Sequence, residues 1–170
     1  GICYGKEEAK NPEKLVETLL KLDHTSVFEH VWFTWKIEGI SRACLGQLTR
    51  HRHCSFTVRS QRYCKEFSQD QVVPNSILYN DNDNLLLEYY GTIGKIYKLY
   101  RDLLDEGIPR EDARFILPQG TETDLYLSCN LRELLHIAEL RLDKQAQWEI
   151  RLLLAMMVEC IDEDLHFMFE

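Results

Sequence analysis

The sequence predicts a mixed α/β domain of the α+β type, on three observations. Segments 31–38 and 120–129 alternate apolar and polar residues with the period of a half-buried strand. Several longer segments carry apolar residues at helical spacing, and most follow a residue that can cap a helix. The length of 170 residues is enough for one hydrophobic core and short for two. We therefore expect a single domain spanning residues 1–170.

The first helix is predicted to run from Asn11 to about Asp23. Asn11 is a favourable N-cap, and Pro12 fits the first helical position. The apolar residues that follow at helical spacing are Leu15, Leu19 and Leu22. Their spacing indicates one apolar face.

The first strand is predicted over residues 31–38, and Gly39 is expected to end it. The apolar residues that alternate along it are Val31, Phe33, Trp35 and Ile37. Ser41 can then cap a second helix. The residues expected to face the core from this segment are Ile40, Cys44, Leu45 and Leu48.

Polar groups gather near the end of this second helix. Gln47, Arg50 and His51 are expected to share one helical face, because residues three and four apart are neighbours. The residues from Arg52 to Gln61 are expected to form a loop. Its small hydroxyl residues, Ser55, Thr57 and Ser60, leave backbone amides accessible to a phosphate.

The middle of the chain is dominated by one long predicted helix from Asn84 to Glu106, closed by Gly107. Before it, the pattern over 64–83 is weak, with a possible short strand at 71–73 ended by Pro74. The stripe of the long helix is Leu86, Tyr90, Ile93, Tyr97, Tyr100 and Leu104. Aromatic residues in such a stripe indicate packing rather than a cofactor site.

A short helix is predicted to start at Pro109 and end before Pro118. It carries Arg114 among apolar residues, and a guanidinium on such a face needs an internal carboxylate or a ligand anion. The residues alone leave that choice open.

The second long strand is predicted over 120–129. Asn130, with Glu133 three residues on, predicts a helix that runs to Arg141. Asp143 is expected to cap a last long helix, in which Met156 and Met157 are both expected in the core.

Composition limits the kind of protein. With 45% hydrophobic and 28% charged residues, the chain reads as an ordinary globular protein. A formal charge of −8 argues against a general nucleic-acid binder. No apolar run could span a bilayer and no signal peptide is recognisable, so we expect a cytoplasmic protein without membrane contact. The six cysteines form no Cys-x-x-Cys pair, and free thiols are the default expectation.

One stretch departs from this acidic background. From Gly39 to Lys65 the chain has no Asp or Glu. It carries instead the arginines Arg42, Arg50, Arg52, Arg59 and Arg62. Several guanidinium groups on one loop indicate a phosphorylated ligand, either a small nucleotide or a nucleic acid.

Neither a metal site nor a catalytic nucleophile is indicated by this stretch. His51 and His53, with His24, form a weak metal-binding pattern without Cys or carboxylate partners, so no metal is predicted. Ser60 lacks the Gly-x-Ser-x-Gly setting of a nucleophile and is better interpreted as a binding residue. The chain has neither a Walker A loop nor a Gly-x-Gly-x-x-Gly motif.

The spacing of Arg50, His51 and Arg52, followed after seven residues by Ser60, resembles the signature of the flavin-dependent thymidylate synthases. The chain continues through Gln61-Arg62-Tyr63 as that family's loop does. Three other segments are also similar to the family, in the right order: 24–30, 109–118 and 130–150. The resemblance covers nearly the whole chain.

This resemblance implies an antiparallel sheet flanked by helices and a homotetramer whose sites are shared between subunits. It implies conversion of dUMP to dTMP, with 5,10-methylenetetrahydrofolate as the carbon donor, FAD as the cofactor and NADPH as the reductant. The flavin chemistry would belong to the cofactor.

The resemblance also implies site residues. The expected FAD contacts are Ser26, Arg50, His51, Arg52, Asn130, Leu131, Arg132 and His136. The expected dUMP contacts are Gln47, Arg50, Val58, Arg59, Ser60, Gln61, Arg62, Arg114 and Arg141. Arg141 is the expected catalytic residue, because a guanidinium beside N3 and O4 of uracil favours the ionised ring. His24 would lie near the flavin and the folate.

Two departures from the family pattern stand out. Val58 replaces the usual Glu or Gln, so only a backbone contact is expected there. A strand and a helix that usually precede Gly1 are expected to be missing. The alternatives are a single-stranded RNA-binding module that stacks bases on Phe56 and Tyr63, and an inactive nucleotide-binding relative.

Overall fold

The computed structural model describes residues 11–66 and 68–169. Its strands are β1 (Trp32–Ser41), β2 (Ser55–Val58) and β3 (Glu122–Asn130). They form an antiparallel sheet in the order β1-β3-β2, with the last strand in sequence at its centre. The predicted mixed fold with an antiparallel sheet is therefore confirmed.

Helices occupy much of the rest. In chain order they are α1 (Pro12–Lys21), α2 (Arg42–Leu48), α3 (Asn75–Leu78), α4 (Asp83–Asp105), α5 (Arg110–Ala113), α6 (Leu131–Arg141) and α7 (Trp148–Glu159). Shorter 3₁₀ helices cover Thr25–His30, Arg114–Ile116 and Glu163–Phe169. No helix among the described residues is both long and apolar enough to cross a membrane.

The chain divides into two compact units. The first, here the terminal unit, contains residues up to 35 together with those from 128 onward. The second, here the central unit, contains residues 36–127. The prediction of a single domain stays a prediction.

The terminal unit is built around α6. The 3₁₀ helix Thr25–His30 packs against α6, which also contacts α7. Asn130 caps α6 as predicted, its side-chain oxygen accepting a hydrogen bond from Glu133 N at 2.9 Å. The buried residues of α6 and α7 include Leu134, Ile137, Ile150 and Leu154. Each such side chain stabilises the fold by about 1.5–3 kcal/mol through burial.

The central unit is built around α4, whose residues Ile93, Tyr97 and Tyr100 are buried. Gln71 Nε2 donates to the Tyr97 hydroxyl at 2.7 Å and to Thr121 Oγ1 at 3.2 Å, while the two hydroxyl oxygens lie 3.1 Å apart. Burial raises the pKa of Tyr97. The packing role predicted for the tyrosine stripe is confirmed at Tyr97 and Tyr100, whereas Tyr90 is exposed.

The start of α2 is fixed as the sequence predicts, because Ser41 Oγ accepts a hydrogen bond from Cys44 N at 2.9 Å. Its end is not as predicted. The helix stops at Leu48, with Thr49 as its C-cap. Arg50 and His51 therefore do not share a helical face with Gln47, and Arg50 is exposed while His51 is 6% exposed.

Two predictions about the strands are wrong. Gly39 does not end β1, because its φ of +71° lets the backbone turn locally while the strand continues to Ser41. The loop expected from Arg52 to Gln61 contains β2, which pairs with β3. The alternation predicted for the second strand is confirmed, with Thr123, Leu125 and Leu127 buried.

Smaller corrections concern single residues. Gln147, rather than Asp143, caps α7, because its side-chain oxygen accepts from the amides of Glu149 and Ile150. Met156 is 55% exposed, whereas Met157 is buried. The possible strand at 71–73 is a single antiparallel bridge between Gln71 and Thr121.

No disulfide joins two of the cysteines that the structure describes. Cys44 and Cys129 are buried as small apolar residues, and Cys160 is exposed. Cys3 lies outside the described residues.

Candidate functional site

Arg59 fixes the arginine-rich segment within the central unit. Its backbone N–H donates to Asp124 O at 2.9 Å, and its carbonyl accepts from Arg42 Nη2 at 3.1 Å. The next residue, Ser60, then closes a tight turn. Its carbonyl accepts from the amides of Tyr63 and Cys64, at 3.2 and 2.9 Å. The segment from Ser60 to Tyr63, here the arginine loop, is therefore an ordered turn.

The arginine loop is tied to α5 by charged groups. Arg62 Nε donates to Glu111 Oε2 at 2.9 Å, and its Nη2 lies 2.7 Å from the same oxygen. Arg114 Nε donates to the Glu111 carbonyl at 3.0 Å. Arg110 Nη1 donates to Tyr63 O at 2.7 Å. Two predicted substrate residues, Arg62 and Arg114, are thus brought together by Glu111.

Arg50 and Arg52 present two exposed guanidinium groups close together in sequence. Among residues 11–66 and 68–169, neither makes an ion pair with a carboxylate. Exposed guanidinium groups without a protein anion are suited to phosphate oxygens. The other predicted ligand residues of this segment are half-buried: Gln47, Val58, Ser60 and Gln61.

A second charged cluster lies beside Arg59. Its Nη2 is 3.5 Å from Glu66 Oε2, and its Nη1 is 3.8 Å from Asp124 Oδ2. The Glu66 side chain is only 3% exposed. Both carboxylates line a cavity of about 120 Å³, together with Asp70 and Glu122. Burial raises the pKa of Glu122, and the nearby carboxylates of Asp70 and Asp124 raise it further.

Arg42 reaches the same cluster from the start of α2. Burial lowers the pKa of its guanidinium, Glu66 opposes that effect, and Arg59 and Arg114 lower the pKa further. An arginine remains charged after such a shift. Arg42 therefore contributes a half-buried positive charge that interacts electrostatically with Arg59 and Arg114, two of the predicted substrate residues.

The terminal unit holds the remaining predicted residues. Arg132 forms an ion pair with Glu29 of the 3₁₀ helix. This contact joins the element that bears Ser26 to the helix that bears His136. Ser26, Arg132 and His136 are exposed. These flavin residues therefore lie on elements that pack against each other.

Two of the predicted flavin residues have structural roles in this unit. The Asn130 side chain caps α6, and the buried Leu131 donates its backbone N–H to Val31 O at 2.8 Å. Arg141 is half-buried in the last turn of α6. His24 is exposed and immediately precedes the 3₁₀ helix. The described residues contain no group of three or more Cys, His, Asp or Glu side chains that could hold a metal ion.

Four charged residues that organise these sites receive no assigned contact from the sequence: Glu29, Arg42, Glu66 and Glu111. The sequence gives a signal for two of them. Arg42 is the first arginine of the segment without acidic residues, and Glu66 is the first acidic residue after it. Half-buried arginines in a segment without Asp or Glu still need carboxylate partners. The first acidic residue after the segment is the nearest candidate in sequence.

These features describe a mixed helical and antiparallel-sheet fold with an arginine-rich loop, and sequence comparison identifies its family. A sequence profile described as "Thymidylate synthase complementing protein" matches residues 1–165. A flavin-dependent thymidylate synthase from Geobacter sulfurreducens is 40% identical over 159 residues, which cover 92% of this chain and 67% of the relative. The enzyme of the same name from Pyrococcus horikoshii is 44% identical over 153 residues, with coverages of 88% and 62%. The chain belongs to the flavin-dependent thymidylate synthase family.

The relative from Pyrococcus furiosus is 41% identical over 143 residues, which cover 82% of this chain and 58% of the relative. The chain therefore spans between 58 and 67% of the length of these three relatives.

Solved structures have the same fold. A UMP/dUMP methylase from Streptomyces cacaoi, bound with 5-Br dUMP, aligns with a TM-score of 0.84 and 25% identity, over 96% of this chain and 82% of that one. A thymidylate synthase from Helicobacter pylori, with FAD and dUMP, aligns with a TM-score of 0.74 and 23% identity, over 98% and 85%.

Proposed function

We propose that this protein methylates dUMP reductively to dTMP. The carbon donor would be 5,10-methylenetetrahydrofolate, the cofactor FAD and the reductant NADPH. The observation that carries the proposal is the pairing of Arg62 and Arg114 on Glu111, in a chain that belongs to this family. Arg62 is held by the Glu111 carboxylate and Arg114 by the Glu111 backbone carbonyl, so both guanidinium groups lie at the same residue and could bind one phosphate.

The residues available for FAD fit its charge. Arg50 and Arg52 are exposed and would neutralise its pyrophosphate. We assign the other FAD contacts to Ser26, His51, Asn130, Leu131, Arg132 and His136. When bound, FAD would supply the hydride that reduces the transferred carbon.

For dUMP, we assign Arg62 and Arg114 to the phosphate, with Ser60 as a further hydrogen-bonding group. Val58 would contribute only its backbone, since its side chain has no polar atom. The other assigned contacts are Gln47, Arg50, Arg59, Gln61 and Arg141.

Two residues are assigned to the chemistry itself. Arg141 would favour the N3-deprotonated uracil, which makes C5 electron-rich enough to attack the methylene group without a protein nucleophile. His24 would lie near the flavin and the folate.

UMP is a second candidate substrate. The Streptomyces cacaoi neighbour is named as a methylase of UMP as well as dUMP, and it aligns with the higher of the two TM-scores. Both nucleotides carry the same phosphate and uracil, so the arginines assigned above would serve either. Discrimination would depend on the groups that face the 2′ position of the sugar.

The first test is the visible absorbance spectrum of the purified protein, with and without added FAD. We expect flavin bands that shift on adding dUMP, and a parallel titration with UMP identifies the preferred nucleotide. A colourless protein that binds single-stranded RNA with a steep salt dependence would contradict the proposal and favour the RNA-binding module.

The second test is tritium release from C5-labelled dUMP, with methylenetetrahydrofolate and NADPH present. Arg141→Lys should lower the rate about 100-fold or more, because an ammonium is a point charge and cannot present the planar fork of a guanidinium. Arg151→Lys is the matched control, since Arg151 is a half-buried arginine whose Nη1 donates to Lys144 O at 3.1 Å. A yellow protein that never releases tritium would be the inactive relative.

We also infer a homotetramer with sites shared between subunits, and a cytoplasmic location. Large exposed aromatic residues support association, notably Tyr63, Tyr79 and Phe115, with 75, 80 and 82% exposure. Analytical ultracentrifugation would test the assembly: four copies are expected, and a monomer at micromolar concentration would contradict it.

A further inference from the structure

The residue that precedes the arginine loop is fixed through both its backbone and its side chain. Arg59 has its N–H on Asp124 O at 2.9 Å and its carbonyl on Arg42 Nη2 at 3.1 Å. Its guanidinium faces Glu66 and Asp124, at 3.5 and 3.8 Å. Asp124 is itself fixed, because its Oδ1 accepts from Gly39 N at 3.1 Å. Arg59 is therefore an anchor point of the central unit.

Arg42 and Glu66 are the members of this arrangement whose hydrogen bonds are incomplete. Glu66 is only 2% exposed, and Arg42 is half-buried. Within the described part of the chain, no hydrogen-bond partner reaches Arg42 Nε or Glu66 Oε1. A buried carboxylate and a half-buried guanidinium that each lack a hydrogen bond cost stability, which points to a role other than stabilising the fold.

The role of Arg42 can be inferred from the peptide bond between Arg59 and Ser60. Because a peptide unit is planar, fixing the Arg59 carbonyl also fixes the nitrogen of Ser60. The carbonyl of Ser60 then accepts from Tyr63 and Cys64, and its Oγ accepts from Arg62 N at 3.3 Å. The position of Arg42 is thus transmitted through Arg59 and Ser60 to the backbone of Arg62.

We propose that Arg42 and Glu66 act as positioning residues for the arginine loop, setting its affinity for the nucleotide phosphate through Arg59 without touching the ligand. This inference rests on the function proposed above. It gives Arg59 an anchoring role in addition to its assigned contact with the substrate. The arrangement would hold Arg62 in its binding position, so that the arginine loop would lose little conformational freedom when the nucleotide phosphate binds.

The test compares Arg42→Gln, Glu66→Gln and the double variant with Lys36→Gln. The control removes one partner of the exposed pair between Lys36 and Glu38 in the same unit, at 2.6 Å. We expect the KM for dUMP to rise roughly tenfold in each single variant, with kcat within about twofold. The control should match the wild type. A fall in Tm with an unchanged KM would overturn the proposal, because it would leave Arg42 and Glu66 a purely structural role.

The double variant tests whether the two residues act together. Each single change removes the electrostatic interaction between Arg42 and Glu66, and the second change has none of it left to remove, so the combined effect on KM should be smaller than the product of the two single effects. Strictly multiplicative effects would overturn the shared role. Arg42→Lys keeps the charge but loses the fork, and it should recover less than half of the lost affinity on a logarithmic scale. Full recovery would contradict positioning by geometry.

A measurement without nucleotide separates this inference from the proposed function. The amides of Arg62, Tyr63 and Cys64 are hydrogen-bonded to Ser60 and should be protected from hydrogen exchange. Their exchange should accelerate about tenfold in Arg42→Gln and Arg42→Lys but not in Lys36→Gln. Unchanged exchange would overturn the positioning role. If the wild type fails to bind dUMP, the proposed function fails, while this readout still decides the structural claim.

Discussion

Arg62 shows how a single side chain can matter for binding and little for stability. Its ion pair with Glu111 is roughly half exposed on both sides, at 55 and 48%. Exposed pairs of this kind contribute about 0–1 kcal/mol to folding. The same guanidinium is one of two that we assign to the substrate phosphate.

We therefore expect Arg62→Gln to raise the KM for dUMP by about 10- to 100-fold, because a charge-assisted contact with phosphate is lost. The free energy of unfolding should change by less than about 1 kcal/mol. Lys98→Gln is the control, since it removes an exposed pair with Asp102 at 2.5 Å. Equal KM values for the two variants would refute the assignment of Arg62.

Glu122 gives a pH-dependent prediction. Burial and the charges of Asp70 and Asp124 raise its pKa above the ordinary value of 4.5 in the folded state. Below the pKa that Glu122 has in the unfolded chain, its protonated side chain therefore contributes to the stability of the fold. This contribution is lost as the pH rises through the higher pKa of the folded state. Glu122→Gln removes the repulsion that remains at neutral pH.

We expect Glu122→Gln to raise Tm at pH 7, by the equivalent of about 0.5 kcal/mol, and to leave it unchanged near pH 4. Thermal unfolding followed by circular dichroism at the two pH values checks this. A variant that is less stable at pH 7 would show that Glu122 has a favourable charged partner instead.

At the scale of the element, Gly39 keeps β1 continuous. Its φ of +71° lies in a region that costs a residue with a Cβ about 1–2 kcal/mol. The nearest atom to an added Cβ is Glu122 Oε2 at 3.7 Å, so the cost is conformational rather than steric.

Gly39→Ala should therefore lower the free energy of unfolding by about 1–2 kcal/mol. Gly46 in α2 is the control, because an added Cβ there meets nothing within 4 Å. Gly46→Ala should stabilise the protein by about 0.5–1 kcal/mol through the helix backbone. Chemical denaturation of both variants gives the comparison, and effects of the same sign would refute this explanation.

The hydroxyl of Tyr97 connects α4 to the residue that precedes β3. Tyr97→Phe leaves Gln71 Nε2 and Thr121 Oγ1 without this partner inside the central unit, and should cost about 1–2 kcal/mol. Tyr90→Phe should cost nothing measurable, because Tyr90 is 47% exposed on the same helix. Urea denaturation compares the two, and equal costs would mean that the buried hydroxyl bonds contribute little.

At the scale of the whole molecule, much of the fold can be predicted from the regular spacing of apolar residues and from the residues that cap helices. The long elements α4, α6, β1 and β3 follow from such signals, and Asn11, Ser41 and Asn130 cap their helices as expected. Strand β2 is not predicted because four residues are too few to distinguish the alternation of Phe56 and Val58 with Ser55 and Thr57 from chance.

The candidate site, like the fold, is only partly predictable from the sequence. Its arginines could be found from sequence because their spacing is local. Their carboxylate partners could not be assigned, since Glu111 lies 49 residues from Arg62 and the contact of Arg42 with Arg59 spans 17 residues. Such pairs depend on the folded path of the chain. The prediction that Gly39 ends β1 is wrong for a similar reason. Whether a glycine ends a strand depends on its φ in the folded chain, which the sequence does not give.

The order of the strands has a consequence for synthesis of the chain. During translation β1 and β2 leave the ribosome long before β3, which lies between them in the finished sheet. Until residues 122–130 emerge, neither early strand has its native neighbour, and both present unpaired backbone edges. The nascent chain is therefore exposed to mispairing of β1 and β2 while α4 and α5 are being made.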